Sequence, residues 1–177
     1  MKTAQFGFSL VELMVTVAIA TILASLAVPS FRTMLVGRTV ESTADTLVSD
    51  IRFARSEAIK RTNRVTICGS STGTSCYGAN AWHNGWIVFV DDDGDGVVDT
   101  GDVVLRVQSA VTGISSIAAT DGNARSHFVF QATGWSQSAS QSFFVTPTAG
   151  SGVAARLVCV SNKGRAAIRA KGESACT

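Results

Sequence analysis

Apolar residues follow three different patterns along this chain, and each pattern predicts a different kind of element. Residues 13–31 contain no charged side chain, a run of about the length that a membrane-spanning helix needs. Residues 40–59 carry apolar side chains at three- and four-residue steps, the spacing of one helix face. After residue 63 the apolar residues form short β-branched and aromatic runs between turn residues, which is typical of antiparallel strands.

The first two patterns predict one long helix that runs from Phe8 to about Arg61. At 1.5 Å per residue this helix would be about 80 Å long, with Pro29 and Gly37 as its weak points. Its first half would lie in a bilayer or a filament core, and its second half would lie against a globular domain. The apolar stripe of the second half consists of Val40, Ala44, Leu47, Val48, Ile51, Ala54, Ala58 and Ile59.

Seven segments after the helix are predicted strands. They read RVTIC, GWIVFV, DVVLRVQ, HFVFQ, SFFVTP, RLVCV and RAAIRA. No helical stripe of comparable length returns after residue 63, so we expect a β-rich head. The predicted fold class is therefore α+β, with a long N-terminal helix packed on an antiparallel β-sheet.

The N-terminus does not have the order of an ordinary secretory signal. Such a signal places its cleavage site after the apolar region. Here the basic Lys2 and the small Gly7 precede the apolar run. A cut after Gly7 would remove a polar leader, leave the hydrophobic helix on the mature chain and create a new amino terminus at Phe8.

Glu12 places a carboxylate at the start of the apolar run. A charged side chain inside a bilayer helix costs about 2.5–3.5 kcal/mol, so the acid needs a partner. The cationic amino group of Phe8 from an adjacent subunit would turn this cost into a favourable contact within a filament and would set the subunit register. The alternative is a signal anchor in which Glu12 lies at headgroup level.

The segment GFSLVEL, residues 7–13, resembles the N-terminal signal of type IV pilins and type II secretion pseudopilins. The resemblance implies that a prepilin peptidase cuts after Gly7 and methylates Phe8, and that Glu12 acts in filament assembly. The segment WIVFVDDDGDGVVDTGDVVLRV is also similar to the GspH and FimT/FimU branch of this family, the minor subunits. The expected organisation is a leader at 1–7, a transmembrane or filament-core helix at 8–35, its amphipathic continuation at 36–62 and a β-rich head at 63–177.

The resemblance implies a minor pilin that assembles into a type IV pilus or primes it in a tip complex. The expected partners are other minor pilins, the major pilin, the prepilin peptidase and the inner-membrane assembly machinery. The protein would first sit in the inner membrane by its single helix with a periplasmic head, and later in the filament on the cell surface. The alternative is a GspH-type minor pseudopilin of a type II secretion system.

The four cysteines lack the CxxC spacing of a zinc site, and their even number fits two disulfides in an oxidising compartment. Three pairings are possible. Short loops rich in small residues favour Cys68 with Cys76 and Cys159 with Cys176. Four buried free thiols are the alternative.

The formal net charge of +2 is too small to indicate a nucleic-acid binder, but the charges are unevenly spread. Six aspartates lie between residues 91 and 102. Five of them and a glycine match positions 1, 3, 5, 6, 9 and 12 of a calcium loop, in the order Asp91, Asp93, Asp95, Gly96, Asp99 and Asp102. The flanking strands and the short twelfth side chain argue instead for a solvated hairpin turn. Calcium is the one cofactor that the sequence suggests, and both interpretations stand.

The C-terminal segment is basic. If residues 165–171 form a strand, then Arg165, Arg169 and Lys171 project from one face, and Lys163 lies nearby. This stripe resembles, in part, the GRxR segment by which FimT-type minor pilins bind DNA during natural transformation, although Ala167 occupies the second arginine position. Such binding would be directed at phosphate and independent of sequence. The alternative is a solvated strand whose charges protect a sheet edge from aggregation.

No enzyme motif competes with these interpretations. His83 and His127 lack the sequence context of a zinc protease or a nucleophile elbow, and no serine is singled out. We therefore expect a structural protein and not an enzyme.

Overall fold

The computed structural model describes residues 7, 9–77, 82–120, 126–137, 140–169, 172–173 and 175–176. Within these residues, helix α1 covers Leu10–Arg61 and is followed by eight strands. The strands are β1 (Val65–Gly69), β2 (Gly85–Val90), β3 (Val103–Ser109), β4 (Ile114–Ala119), β5 (His127–Phe130), β6 (Gln141–Pro147), β7 (Arg156–Val160) and β8 (Ala166–Ile168). A short 3₁₀ turn at Trp82–Asn84 precedes β2. The predicted α+β class is confirmed.

Both ends of α1 are set by local hydrogen bonds. Ser9 is the N-cap, and its hydroxyl accepts the backbone N–H of Glu12 at 3.2 Å. Ser9 and Glu12 have the spacing of a capping box, so Glu12 also favours the helix start. The helix ends at Thr62, which has a left-handed backbone and donates its N–H to the carbonyls of Ala58 and Ile59.

The helix continues through both of its predicted weak points, Pro29 and Gly37. The hydroxyl of Thr33 donates to the carbonyl of Pro29 at 3.2 Å. Thr16 and Thr21, in the apolar half, likewise donate their hydroxyls to carbonyls of the preceding turn. These bonds satisfy polar groups that would otherwise be costly in an apolar surrounding.

The strands form two antiparallel sheets of four strands each. Their orders are β3-β2-β1-β5 and β4-β6-β7-β8. The sequence predicted seven of these strands and missed β4, because ISSIAA lacks the aromatic and β-branched density of its neighbours. The last strand was also predicted too long, since β8 contains only Ala166–Ile168.

The second half of α1 packs against both sheets and forms the centre of the core. Its side chains Ala44, Leu47, Ile51, Ala54 and Ala58 are fully buried. An aromatic cluster joins the sheets next to this helix: Phe128 of β5 and Phe143 of β6 have ring centroids 5.6 Å apart, and Trp82 lies against both. Such contacts add to the free energy of burial, so the helix and the two sheets form one packed unit.

Candidate functional site

The apolar first half of α1 is unburied within the monomer. Every described side chain from Leu10 to Leu35 is exposed, whereas Val40 and most of the apolar stripe after it are buried. Among the described residues, α1 is the one helix that is long and apolar enough to cross a membrane. An exposed apolar surface of this length requires a lipid or protein environment.

Glu12 lies exposed in the first turn of this unburied half. Its predicted intermolecular partner, the amino group of Phe8, falls outside the described residues, as does most of the predicted leader. Gly7 is described and is exposed. The cleavage, methylation and pairing of this segment therefore stay predictions.

The structure contains the two disulfides that loop composition favoured. Cys68 of β1 pairs with Cys76 in the following loop. Cys159 of β7 pairs with Cys176 and holds the C-terminal segment against the second sheet. The second bond closes a span of 17 residues close to the basic segment, so it limits how far that segment can move.

The aspartate-rich loop joins β2 to β3 and is organised around Asp91. This carboxylate is fully buried and accepts the hydroxyl of Thr66 at 2.6 Å. It also accepts the backbone N–H groups of Gly94 at 2.7 Å and Gly96 at 3.2 Å. The hydrogen bonds that the Asp91 carboxylate accepts thus hold the loop in its folded conformation.

Carboxylate oxygens of Asp91, Asp93 and Asp95 come within 4.8 Å of one another. Asp102 instead accepts the backbone N–H groups of Asp92 and Asp99. Partial desolvation, followed by the negative charge of Asp102, raises the pKa of the Asp99 carboxyl. The structure brings three of the five predicted ligands together, and calcium binding stays a prediction.

The C-terminal basic residues occupy different positions. Arg165 is exposed, Arg169 is half-buried, and both flank the short strand β8. Lys163 is exposed in the turn between β7 and β8, and Lys171 lies outside the described residues. The predicted alternation of exposure is seen over residues 165–167, because Ala166 is buried between two exposed neighbours, whereas Ile168 and Arg169 are both half-buried.

Arg165 and Arg169 line a cleft of about 700 Å³ between α1 and the β7–β8 hairpin. The opposite wall carries Arg52 and Arg55 of α1, which were not among the predicted basic-site residues. Their spacing of three residues places them on one helix face, which is the signal that the sequence contained. That this face meets the C-terminal strand could not be read from local sequence.

Gly164 allows this close approach. Its backbone has φ 71°, a left-handed conformation that favours glycine. A Cβ atom at this position would lie 2.6 Å from the carbonyl oxygen of Gly134 and 2.9 Å from Cδ of Arg55. The glycine therefore brings the β7–β8 turn onto α1 beside Arg55.

Two family sequence models match this chain. The model described as type II transport protein GspH matches residues 43–164, which is more than half of the chain. The model described as prokaryotic N-terminal methylation motif matches residues 2–28. No curated protein sequence matches the chain.

Solved structures of similar fold include the type IV minor pilin FimU of Pseudomonas aeruginosa strain PAO1 in two crystal forms. One form aligns with a TM-score of 0.57 and 17% identity over 76% of this chain and 90% of the FimU chain. The other aligns with a TM-score of 0.55 and 19% identity over 75% of this chain and 94% of the FimU chain. At these identities the likeness concerns the fold alone.

Proposed function

Because this chain belongs to the family described as type II transport protein GspH, whose members are structural pilin-like subunits, we propose that it is a minor subunit of a type IV pilus. In this proposal the protein assembles into the filament or primes its assembly in a tip complex. Its partners are other minor pilins, the major pilin and the inner-membrane assembly machinery.

The observation that carries this proposal is the contrast between the two halves of α1. Most of the apolar stripe after residue 36 is buried in the head, whereas every described side chain from Leu10 to Leu35 is exposed. A bilayer covers such a surface before assembly, and neighbouring helices cover it in a filament. The periplasmic head would then be carried from the inner membrane to the cell surface.

The proposed maturation begins at Gly7. The prepilin peptidase cuts after this glycine and methylates the amino group of Phe8. Glu12 then pairs with that amino group on an adjacent subunit, which offsets the cost of a carboxylate in an apolar surrounding. The match to the N-terminal methylation motif over residues 2–28 supports this sequence of steps.

The test compares Glu12→Gln with Asp45→Asn, since Asp45 is an exposed acid on the same helix. We expect both variants in the inner-membrane fraction, and only Asp45→Asn in filaments sheared from the cell surface. Equal recovery of the Glu12→Gln protein from filaments would overturn the assembly role of this acid. Wild-type protein that enters no surface pilus and co-purifies with a type II secretion complex would establish the alternative, a minor pseudopilin.

A second proposed function is DNA binding through the C-terminal basic segment. Its support is that Arg165 and Arg169 line one cleft, while Lys163 lies on the adjoining turn. Phosphate contacts of this kind are independent of sequence and weaken with salt. This is a function of the pilus surface, and it is compatible with the structural role.

DNA binding is tested with the full chain in neutral detergent at two salt concentrations. The variant Arg165→Glu with Arg169→Glu should lose the binding. The control, Arg38→Glu with Lys60→Glu, reverses two charges that are 78% and 76% exposed on α1 and lie outside the cleft. Equal loss in both variants, or no binding by the wild type at low salt, would contradict the proposal.

A further inference from the structure

The cleft between α1 and the β7–β8 hairpin is lined by four arginines that come from two distant parts of the chain. Arg52 and Arg55 belong to the helix, and Arg165 and Arg169 flank the last described strand. More than 100 residues separate the two pairs along the chain. Their juxtaposition is a property of the tertiary structure.

Hydrogen bonds to backbone carbonyls hold both helix arginines in place. Arg52 donates from Nε at 3.2 Å and from Nη2 at 2.9 Å to the carbonyl oxygen of Ala166. Arg55 donates from Nε to the carbonyl oxygen of Gly134 at 2.9 Å. Because these bonds use one side of each planar guanidinium group, they fix its orientation and leave other N–H donors for a ligand.

The cleft carries a concentrated positive charge. Its described lining includes the four arginines and the hydroxyls of Ser140 and Ser161, and it includes no acid. Just beyond that lining, the carboxylate of Glu173 lies 3.9 Å from Nε of Arg169 and offsets part of the charge of this one arginine. Four cations in one cleft repel one another, so a bound polyanion would stabilise them.

We infer that Arg52 and Arg55 are phosphate-contacting residues, and that a nucleic-acid backbone lies along the cleft between α1 and β8. This inference rests on the proposed DNA binding and changes its location. The outer face of an edge strand would offer two arginines, whereas the cleft offers four, on two walls. Arginine suits this role because its fork can donate two hydrogen bonds to one phosphate.

The chemistry of the lining also defines what is recognised. No aromatic side chain occurs among the described lining residues, so bases have no stacking platform there. Guanidinium groups and serine hydroxyls are common ligands of phosphate oxygens, and contacts to phosphate carry no sequence information. Binding is therefore expected to be similar for DNA of different sequences and to fall steeply as salt is raised.

The experiment measures DNA affinity of the full chain in neutral detergent across a series of salt concentrations. The first variant is Arg52→Gln with Arg55→Gln. For duplex DNA, the slope of log K against log salt is negative, and its magnitude should fall by about 0.9 for each lost phosphate contact, hence by about 1.8 for the pair. The control, Arg38→Gln with Lys60→Gln, removes the same charge from exposed positions of α1 and should leave the slope nearly unchanged.

A second variant, Arg52→Lys with Arg55→Lys, distinguishes the effect of the positive charge on DNA binding from the structural role of the two arginines. Because lysine keeps the positive charge, this variant should retain most of the salt slope. Lysine cannot reproduce the planar fork of arginine, so the hydrogen bonds to the carbonyls of Ala166 and Gly134 would be weakened. If the lysine variant loses as much binding as the glutamine variant, the two arginines only hold the carbonyls of Ala166 and Gly134, and the inference is wrong. Thermal unfolding followed by tryptophan fluorescence reports whether each variant is folded.

The two proposals fail in different ways. If the wild type binds DNA and only the Arg165 and Arg169 variants weaken it, DNA binding stands and the role of the helix arginines is refuted. If the wild type binds no DNA at low salt, both fail. Arginine-dependent binding of an acidic polysaccharide such as polygalacturonate, without any binding of DNA, would also overturn the inference.

Discussion

The indole Nε1 of Trp86 donates a hydrogen bond to Oδ2 of Asp50, 2.8 Å away in the interior of the head. The other oxygen of this buried carboxylate accepts from Arg106 of β3, whose guanidinium carbon lies 3.9 Å from the ring centroid of Phe53. Asp50 thus ties α1 to β2 and to β3. These contacts position the helix on the first sheet.

Replacement of Asp50 by alanine should strongly destabilise the head. The substitution leaves the buried indole N–H of Trp86 without its acceptor and removes the ion partner of Arg106, whose side chain is partly exposed. A buried donor left without an acceptor costs about 1–3 kcal/mol, and loss of an ion pair with an exposed partner adds about 1 kcal/mol or less. The measurement is urea unfolding of the full chain in neutral detergent, followed by tryptophan fluorescence.

The matched control for this substitution is Asp45→Ala. Asp45 is exposed on the same helix, so its loss should change the free energy of unfolding by less than about 0.5 kcal/mol. A loss of equal size in both variants would show that Asp50 acts through general helix effects. Its contacts with Trp86 and Arg106 would then be unimportant for stability.

Asp91→Ala should unfold the β2–β3 loop and lower the stability of the first sheet. The buried carboxylate accepts one hydroxyl and two backbone N–H groups, and alanine leaves these donors unsatisfied. Hydrogen bonds to charged groups contribute about 1.5–3 kcal/mol each, and partial rehydration of the open loop would recover part of that, so we expect a net loss of about 3 kcal/mol. Hydrogen exchange of the Gly94 and Gly96 amides is the direct measurement.

Asp93→Ala serves as the control, because Asp93 is exposed and accepts a single loop N–H from Asp95. Its effect on stability should be below about 1 kcal/mol without added metal. The calcium interpretation predicts a different outcome, in which millimolar calcium raises the melting temperature of the wild type and Asp93→Ala abolishes the increase. The absence of any shift would refute that interpretation.

Gly164→Ala should disturb the contact between the β7–β8 turn and α1. The new methyl group would collide with the carbonyl oxygen of Gly134 and with Arg55, and it would also be strained at φ 71°. Left-handed strain and the collision together should cost about 2–3 kcal/mol. Thermal unfolding gives the loss of stability, and DNA affinity reports any displacement of Arg55.

Gly150→Ala is the control that introduces backbone strain without a collision. Gly150 has φ 77°, but a Cβ atom there would meet nothing within 4 Å. We expect this control to lose about 1 kcal/mol through strain alone. If the two alanine variants are equally stable, the close approach at Gly164 has no energetic importance.

Protonation of the Glu57 carboxyl should make the head less stable in acid. The hydrogen bond from Arg61, and after it the charge of Lys60, hold the pKa of this carboxyl below its usual 4.5, although partial burial acts in the opposite direction. Because the folded state has the lower pKa, the stabilisation is present above pH 4.5 and disappears as the pH falls through the folded pKa. Melting temperatures of the wild type and Glu57→Gln should therefore differ above pH 5 and converge near pH 3. A constant difference would contradict this account.

Much of the fold could be predicted because its signals are local. The uncharged run after Glu12 and the three- and four-residue spacing after Val40 both predict a helix, and the structure has one from Leu10 to Arg61. Dense β-branched and aromatic runs predict seven strands in the same way. Strand β4 was missed because ISSIAA lacks that density, and its place in the sheet follows from its pairing with β6.

The basic site was predicted only in part. Arg165 and Arg169 could be predicted because they lie in a short basic segment with few acids. Arg52 and Arg55 are ordinary residues of a polar helix face until the β7–β8 hairpin packs beside them. The contact depends on the missing side chain of Gly164, and the sequence around this glycine does not indicate what it approaches.

The sequence by itself determined the features that depend on neighbours along the chain: the membrane-length apolar helix, the acid at its start, the strand runs and the short loops that two disulfides close. Only the tertiary structure decided that the strands divide into two sheets, that Asp91 closes its own loop, and that four arginines share one cleft. The physical reason is that periodicity and charge density act over a few residues. The packing of a helix against a hairpin more than 100 residues away depends on the shapes of both.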